Sequence, residues 1–243
     1  MIDMGKNSIN SRTRICIRCV MDTSDSMIEF DDFGICDHCR TFDKEILPKW
    51  NMGKGREAQL SRIVNRIKKA GEGKDFDCIL GMSGGIDSSY LLYLATKVLN
   101  LKPLVFHVDA GWNSQIAVNN IERLVDGLGL DLFTEVIDWD DMKNLQKAYF
   151  KSGVPHIDTP QDHAFFATMY KFASNHNIKN IITGGNYSTE CVRNPKEWMY
   201  YQSDSNQLRD IYKKHGGSKL KRYPVTNILW HKIYLPYVKR IKL

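Results

Sequence analysis

From residue 76 onward the sequence alternates short apolar runs with stretches of helical periodicity, and that alternation restricts the fold more than any single motif. Residues 76–82, 104–108, 132–137 and 180–183 read as strands. Helices are expected over 87–99, 116–128, 140–151 and 161–175. Strands separated by helices imply α/β architecture, a parallel sheet with helices on both faces. In such sheets ligands bind at the carboxyl ends of the strands, so the loops at 83–89, 109–114 and 184–190 are expected to converge.

Upstream, Leu60, Ile63, Val64 and Ile67 recur at helical spacing before Gly71 and Gly73 break the pattern, which predicts a helix over 55–72. The chain therefore divides into an N-terminal segment, 1–50, a linking helix within 51–74, and an α/β domain over 75–243.

Four of the six cysteines lie between residues 15 and 40. Cys16 and Cys19 form one C-x2-C, Cys36 and Cys39 a second, with sixteen residues between the pairs. That is the two-knuckle zinc spacing. Thiolates suit tetrahedral Zn²⁺, and four sulfurs close the site, which makes the zinc structural rather than catalytic. The metal supplies folding energy that so short a segment lacks from its own core. His38, between two of the cysteines, is not expected to be a ligand. Disulfides are not expected, because the polar N-terminus lacks the apolar core of a signal peptide and no apolar run has the length to span a bilayer. A cytoplasmic protein is the expectation.

The formal charge of +6 is unevenly placed. From Lys213 to Leu243 there are nine basic residues and no acidic one, leaving 25 basic against 28 acidic residues in the rest of the chain. Trp230, Ile233, Tyr234, Leu235, Tyr237 and Val238 are interleaved with those charges, so the tail reads as a packed amphipathic segment with a solvated basic face.

The run Gly81-Met82-Ser83-Gly84-Gly85-Ile86-Asp87-Ser88-Ser89 follows the first strand and opens a helix. Its glycines allow a tight turn whose N–H groups approach phosphate oxygens, and the helix N-terminus adds its positive end. Ser83, Ser88 and Ser89 offer hydroxyls, and Asp87 is a hard oxygen ligand suited to Mg²⁺ on a nucleotide. The run is neither the lysine-containing P-loop nor the dinucleotide fingerprint.

Ser83-Gly84-Gly85-Ile86-Asp87-Ser88 resembles the SGGxDS pyrophosphate loop of the PP-loop ATP pyrophosphatase superfamily, which includes GMP, NAD and asparagine synthetases and tRNA-thiolating enzymes. The resemblance implies an adenine nucleotide alpha hydrolase-like fold and cleavage of ATP between its α and β phosphates, with AMP passing to a substrate oxygen. Asp109-Ala110-Gly111 looks like the segment that follows the second strand in GMP synthetase, and by the same likeness the backbone at His107 and Val108 meets adenine. Gly81, Met82, Ser83, Gly84, Gly85, Asp87, Ser88 and Ser89 then form the phosphate side, and Gly184 and Gly185 the ribose or α-phosphate side.

Taken together, the cysteine segment, the loop, Thr159-Pro160-Gln161-Asp162-His163-Ala164 and Thr183-Gly184-Gly185-Asn186-Tyr187-Ser188-Thr189-Glu190 resemble the N-acetyl sugar amidotransferases (WbpG/PseA-like) of lipopolysaccharide O-antigen and flagellar-sugar biosynthesis. One departure is Ser26, where proline is expected. The likeness implies an ATP-dependent ligase that converts an acetamido group of a nucleotide sugar into an acetamidino group. It implies catalytic roles for Ser83, Asp87, Asp162 and His163, and places Asn186, Thr189, Glu190 and Arg193 on the sugar. The chain shows no glutaminase constellation, so separate glutaminase and cyclase-like ammonia-channel subunits are implied as partners. Members of that family continue past the point matching Tyr237-Val238-Lys239-Arg240, so a further C-terminal segment is also implied.

Two other readings stand beside it. A tRNA-thiolating PP-loop ATPase would use the basic tail for RNA phosphates. Sulfur transfer usually relies on several cysteines after the loop, however, and here Cys191 alone follows it, with Cys78 in the strand before, so nucleic acid is not the expected partner. The third reading is a non-catalytic scaffold, a zinc module on a degenerate nucleotide domain, which the complete loop argues against.

Overall fold

The computed structural model of the protein describes residues 13–50, 53–185, 195, 198, 203–217 and 219–242. The proposed sugar contacts Asn186, Thr189, Glu190 and Arg193, and Cys191, lie outside the described residues. Two compact units emerge, one with residues 13–50 and the other with 54–185 and 203–242.

In the smaller unit two antiparallel bridges, Ile15 with Asp22 and Phe30 with Cys36, shape the two cysteine turns. A five-residue helix α1 (Asp37–Thr41) follows, continued by wider and tighter turns through Lys49.

The larger unit is built on four parallel strands, β1 (Cys78–Gly81), β2 (Pro103–Asp109), β3 (Leu132–Val136) and β4 (Ile181–Ile182), in the order β3-β2-β1-β4. The helices are α2 (Arg56–Gly71), α3 (Ile86–Tyr93), α4 (Gln115–Leu128), α5 (Trp139–Ser152), α6 (Thr159–Asn175) and α7 (Ser205–His215). Ser114 Oγ caps α4 by accepting the Ala117 N–H at 3.2 Å, and Asp138 Oδ1 caps α5 through the Asp141 N–H at 3.1 Å. Gly129 and Gly153 end the same two helices in the left-handed region.

Strand side chains alternate between the two faces. Ile79, Leu104, Phe106 and Val108 join α5, α6 and α7 in one core. Cys78, Leu80 and Val105 join α2, α3 and α4 in the other. Helices thus cover both faces of a parallel sheet, as the sequence pattern requires. One expectation changes: the helix taken as a linker buries Val64 and Ile67 in the second core, so α2 belongs to the α/β unit.

The basic tail is packed in part. Leu235 and Ile241 are buried in the first core, while Ile233, Tyr237 and Val238 are exposed along with Lys232, Arg240 and Lys242. Residues Trp230–Lys239 form a π-helix around Pro236, which has no N–H for the ordinary helical bond. The chain then returns to β4: Ile181 N–H donates to the Lys242 carbonyl and Lys242 N–H to that of Lys179, both at 2.8 Å. Among the described residues no helix is long and apolar enough to cross a membrane.

Candidate functional site

Strand order locates the site before any side chain does. From β1 the chain moves to β2 and β3 on one side, then crosses to β4 on the other. The carboxyl ends of β1 and β4 flank that reversal, where α/β sheets hold their ligands. The loop after β1 is the glycine-serine run, and the loop after β4 carries Gly184 and Gly185. A Cβ on Gly184 would stand 3.1 Å from the Ser88 nitrogen and 3.4 Å from the Asp87 carbonyl carbon. These two expected parts of the site therefore touch.

The loop is internally braced. Gly84 has φ +77°, and a Cβ there would overlap the Ala117 carbonyl in the first turn of α4, so glycine is required on both counts. Gly85 precedes α3, and no side chain caps that helix. Its first N–H groups remain available to an anion. Asp87 and Ser83 are exposed at the same end. The Ser88 and Ser89 hydroxyls, which the sequence assigns to phosphate, donate to the Gly85 carbonyl at 3.2 and 2.7 Å. Hydroxyls in a first helical turn readily bond back three or four residues, and Ser88 Oγ also accepts the Ser83 N–H at 3.3 Å.

His107 was expected to contribute backbone. Its side chain is buried, with Nδ1 2.9 Å from the Met82 carbonyl and Nε2 3.1 Å from Asn113 Nδ2. The alternation of β2 carries the signal, because His107 shares the face of Val105, toward α3 and α4. Asp109 Oδ1 accepts the Gly111 N–H at 2.8 Å, and Gly111, at φ +83°, lies against the ring of Trp139. Val108 is buried in the core.

Helix α6 reaches the same end of the sheet. A Cβ on Gly81 would meet the Phe165 ring at 2.7 Å, and Asp162 lies one turn earlier. Burial, with Asp158 nearby adding repulsion, raises the Asp162 carboxyl to about 6. This group takes and releases protons near neutrality.

His163 behaves differently. It is 2% exposed, accepts the Thr226 N–H on Nε2 at 3.1 Å and stacks on Tyr223. Through Nε2 it serves as a buried tether for the strap that carries Thr226. The same strap is held by Asp141, whose Oδ2 accepts the N–H groups of Lys221, Arg222 and Tyr223 at 2.8, 2.6 and 2.9 Å. The Tyr223 hydroxyl donates to the Pro160 carbonyl at the start of α6. Nothing in the sequence pattern marked Asp141, since its partners lie eighty residues away.

In the smaller unit the ligand atoms of Cys16, Cys19, Cys36 and Cys39 all lie within 4.8 Å of one another. Cys16 and Cys39 sulfurs are 4.0 Å apart, and those of Cys19 and Cys36 3.6 Å. Tetrahedral zinc with bonds of about 2.3 Å separates its sulfurs by about 3.8 Å, so the four residues fit that ion. Burial raises the Cys36 and Cys39 thiols. Burial also raises Cys16, but N–H donors from Cys36, Arg18 and Cys19 outweigh it and bring that thiol to about 6. His38 is not in the cluster; its Nε2 lies 2.7 Å from Asp25 Oδ2, both side chains buried.

Comparison with known proteins agrees with the sheet and the loop. The chain is similar to sulfate adenylyltransferase subunit 2 of Pseudomonas aeruginosa and of Pseudomonas paraeruginosa, 25% identical over 207 residues, covering 77% of this chain. It spans 64% of the length of those relatives. Among solved structures, the NH3-dependent NAD synthetase from Campylobacter jejuni, in complex with the nitrate ion, aligns with a TM-score of 0.39 and 16% identity, over 53% of this chain and 56% of that one. The family profile described as the phosphoadenosine phosphosulfate reductase domain matches residues 77–223, a span that holds all four strands, the glycine-serine loop and the Tyr223 strap. These matches fit the PP-loop ATP pyrophosphatase superfamily. The chain belongs to the phosphoadenosine phosphosulfate reductase domain family.

Proposed function

We propose that this protein uses ATP to adenylate the acetamido oxygen of an N-acetylated nucleotide sugar and replaces that oxygen with ammonia. The observation that carries ATP use is the contact between Gly184 and the first turn of α3, which closes one cradle from the two loops at the strand-order reversal. The sugar reading rests on the sequence likeness, in which the four-cysteine module accompanies the loop and the segments after residues 158 and 182.

The chemistry is consistent with these residues. An acetamido carbon is a poor electrophile until its oxygen is activated. The oxygen attacks the α-phosphorus, an O–P bond forms, the bond to the bridging oxygen breaks and pyrophosphate leaves. Ammonia then adds to the imidate carbon, the carbon–oxygen bond breaks, and AMP departs as the nitrogen loses a proton. The loop and the start of α3 hold the pyrophosphate with N–H groups. Asp162, titrating near 6, is suited to accept the ammonia proton. Magnesium on the nucleotide would be held by Asp87 and would offset charge on the leaving phosphates. Zinc on the four cysteines would fold the smaller unit and take no part in the reaction. Separate glutaminase and channel subunits supply the ammonia in this reading.

A second reading, favoured by the sulfate adenylyltransferase relatives, transfers the same adenylyl group to sulfate. An acceptor panel decides between them. With ATP, Mg²⁺ and ammonium, AMP release should depend on an N-acetylated nucleotide sugar and yield an amidine detectable by mass spectrometry. Turnover driven by sulfate or by tRNA, with none from any acetamido sugar, would reject the proposal.

A further inference from the structure

A loop that binds anions must turn its N–H groups outward and its carbonyls away, since each peptide plane carries both at opposite ends. Here the carbonyls of Met82, Gly84 and Gly85 are each tied to a donor inside the protein. Gly85 is held by the Ser88 and Ser89 hydroxyls of its own helix. The other two are held from outside: Met82 by His107 Nδ1 of β2 at 2.9 Å, and Gly84 by Asn120 Nδ2 of α4 at 3.1 Å.

The arrangement at His107 is specific. The last backbone rung between β1 and β2 runs from Met82 N–H to the Phe106 carbonyl at 2.9 Å, and the imidazole supplies the next donor. Asn113 Nδ2 donates to Nε2 at 3.1 Å, which leaves Nδ1 as the protonated nitrogen facing Met82. On the other side, the Gly84 backbone lies against α4, where an added Cβ would overlap the Ala117 carbonyl oxygen. Asn120, one turn further along α4, fixes which way that peptide points.

We infer that His107 and Asn120 are positioning residues for pyrophosphate. They hold the Met82–Ser83 and Gly84–Gly85 peptides with carbonyls turned into the protein, and the N–H groups of those two peptides rest on the Ser88 and Ser83 hydroxyls at 3.3 Å each, contacts that oxygens of the β and γ phosphates replace on binding. This rests on the reading of the loop as a phosphate site but not on the identity of the acceptor.

Calorimetric titration of the intact protein with inorganic pyrophosphate and Mg²⁺ tests it, alongside the thermal midpoint of each variant. Asn120→Ala removes an exposed side chain that the fold does not need, and should weaken pyrophosphate binding about tenfold with little change in midpoint. His107→Leu should weaken it at least as much. His107→Asn, whose side-chain amide can replace the Nδ1 donor, should restore affinity to within about twofold of the parent. Unchanged affinity in both Asn120→Ala and His107→Leu overturns the inference, as does His107→Asn binding no better than His107→Leu. If the parent itself fails to bind pyrophosphate, the phosphate reading of the loop falls, and this assignment with it.

Discussion

Gly184 and Ser88 meet where the strand order reverses: a side-chain carbon on Gly184 would stand 3.1 Å from the Ser88 backbone nitrogen. The exit of β4 thus rests on the first turn of α3 through backbone.

Substitutions at the two glycines should separate affinity from stability. Gly184→Ala forces the first turn of α3 to give by a few tenths of an ångström, and should raise the Kd for ATP about tenfold with a small loss of stability. Gly84→Ala combines a positive φ with overlap of the Ala117 carbonyl, and should cost about 2–3 kcal/mol of unfolding free energy. Urea unfolding together with nucleotide titration checks both. A Gly84→Ala protein as stable as the parent would contradict the close approach.

The four-cysteine cluster should hold one zinc per chain. Cys36→Ser should lose it, and a chelator strong enough to strip it should unfold residues 13–50 while the α/β unit keeps its circular dichroism. Metal analysis and limited proteolysis read the two effects independently. Full zinc content in Cys36→Ser would remove that residue from the site.

Asp162 gives a pH signature of known sign. Its carboxyl titrates at about 6 in the fold against about 3.8 for the free side chain, so the folded state binds more protons between those values. The group costs stability above pH 6, and that cost disappears as pH falls toward 4. Asp162→Asn should therefore be more stable than the parent at pH 7.5, by about 1–2 kcal/mol after allowing for partial solvent screening, with the gap closing by pH 4. His231, lowered to about 4 by burial with His163 and Lys232 adding to it, acts in both proteins, so the difference isolates Asp162. A constant gap across pH would contradict the raised carboxyl.

Much of this architecture was legible from local pattern. The four strands and the five helices α2 to α6 are written in period-two and period-3.6 apolar spacing, and the four clustered cysteines in their own spacing, whereas α7 (Ser205–His215) was not read from the sequence. Hydroxyl directions were not legible, because Ser88 and Ser89 choose between ligand and Gly85 only once the helix forms. Nor was the assignment of α2, since burial of Val64 and Ile67 against Leu80 depends on packing between distant segments. His163 and Asp141 illustrate the same limit: their partners, Thr226 and residues 221–223, are brought near only by the completed fold.

In the proposed reaction the loop after β1 holds the β and γ phosphates so that ATP breaks at its α-phosphorus. Phosphorus NMR of the intact protein turning over ATP with Mg²⁺, ammonium and an N-acetylated nucleotide sugar observes that directly. AMP and pyrophosphate in equal amounts, absent without the sugar and abolished by Asp87→Ala, are the predicted result; ADP and inorganic phosphate as the products would contradict it.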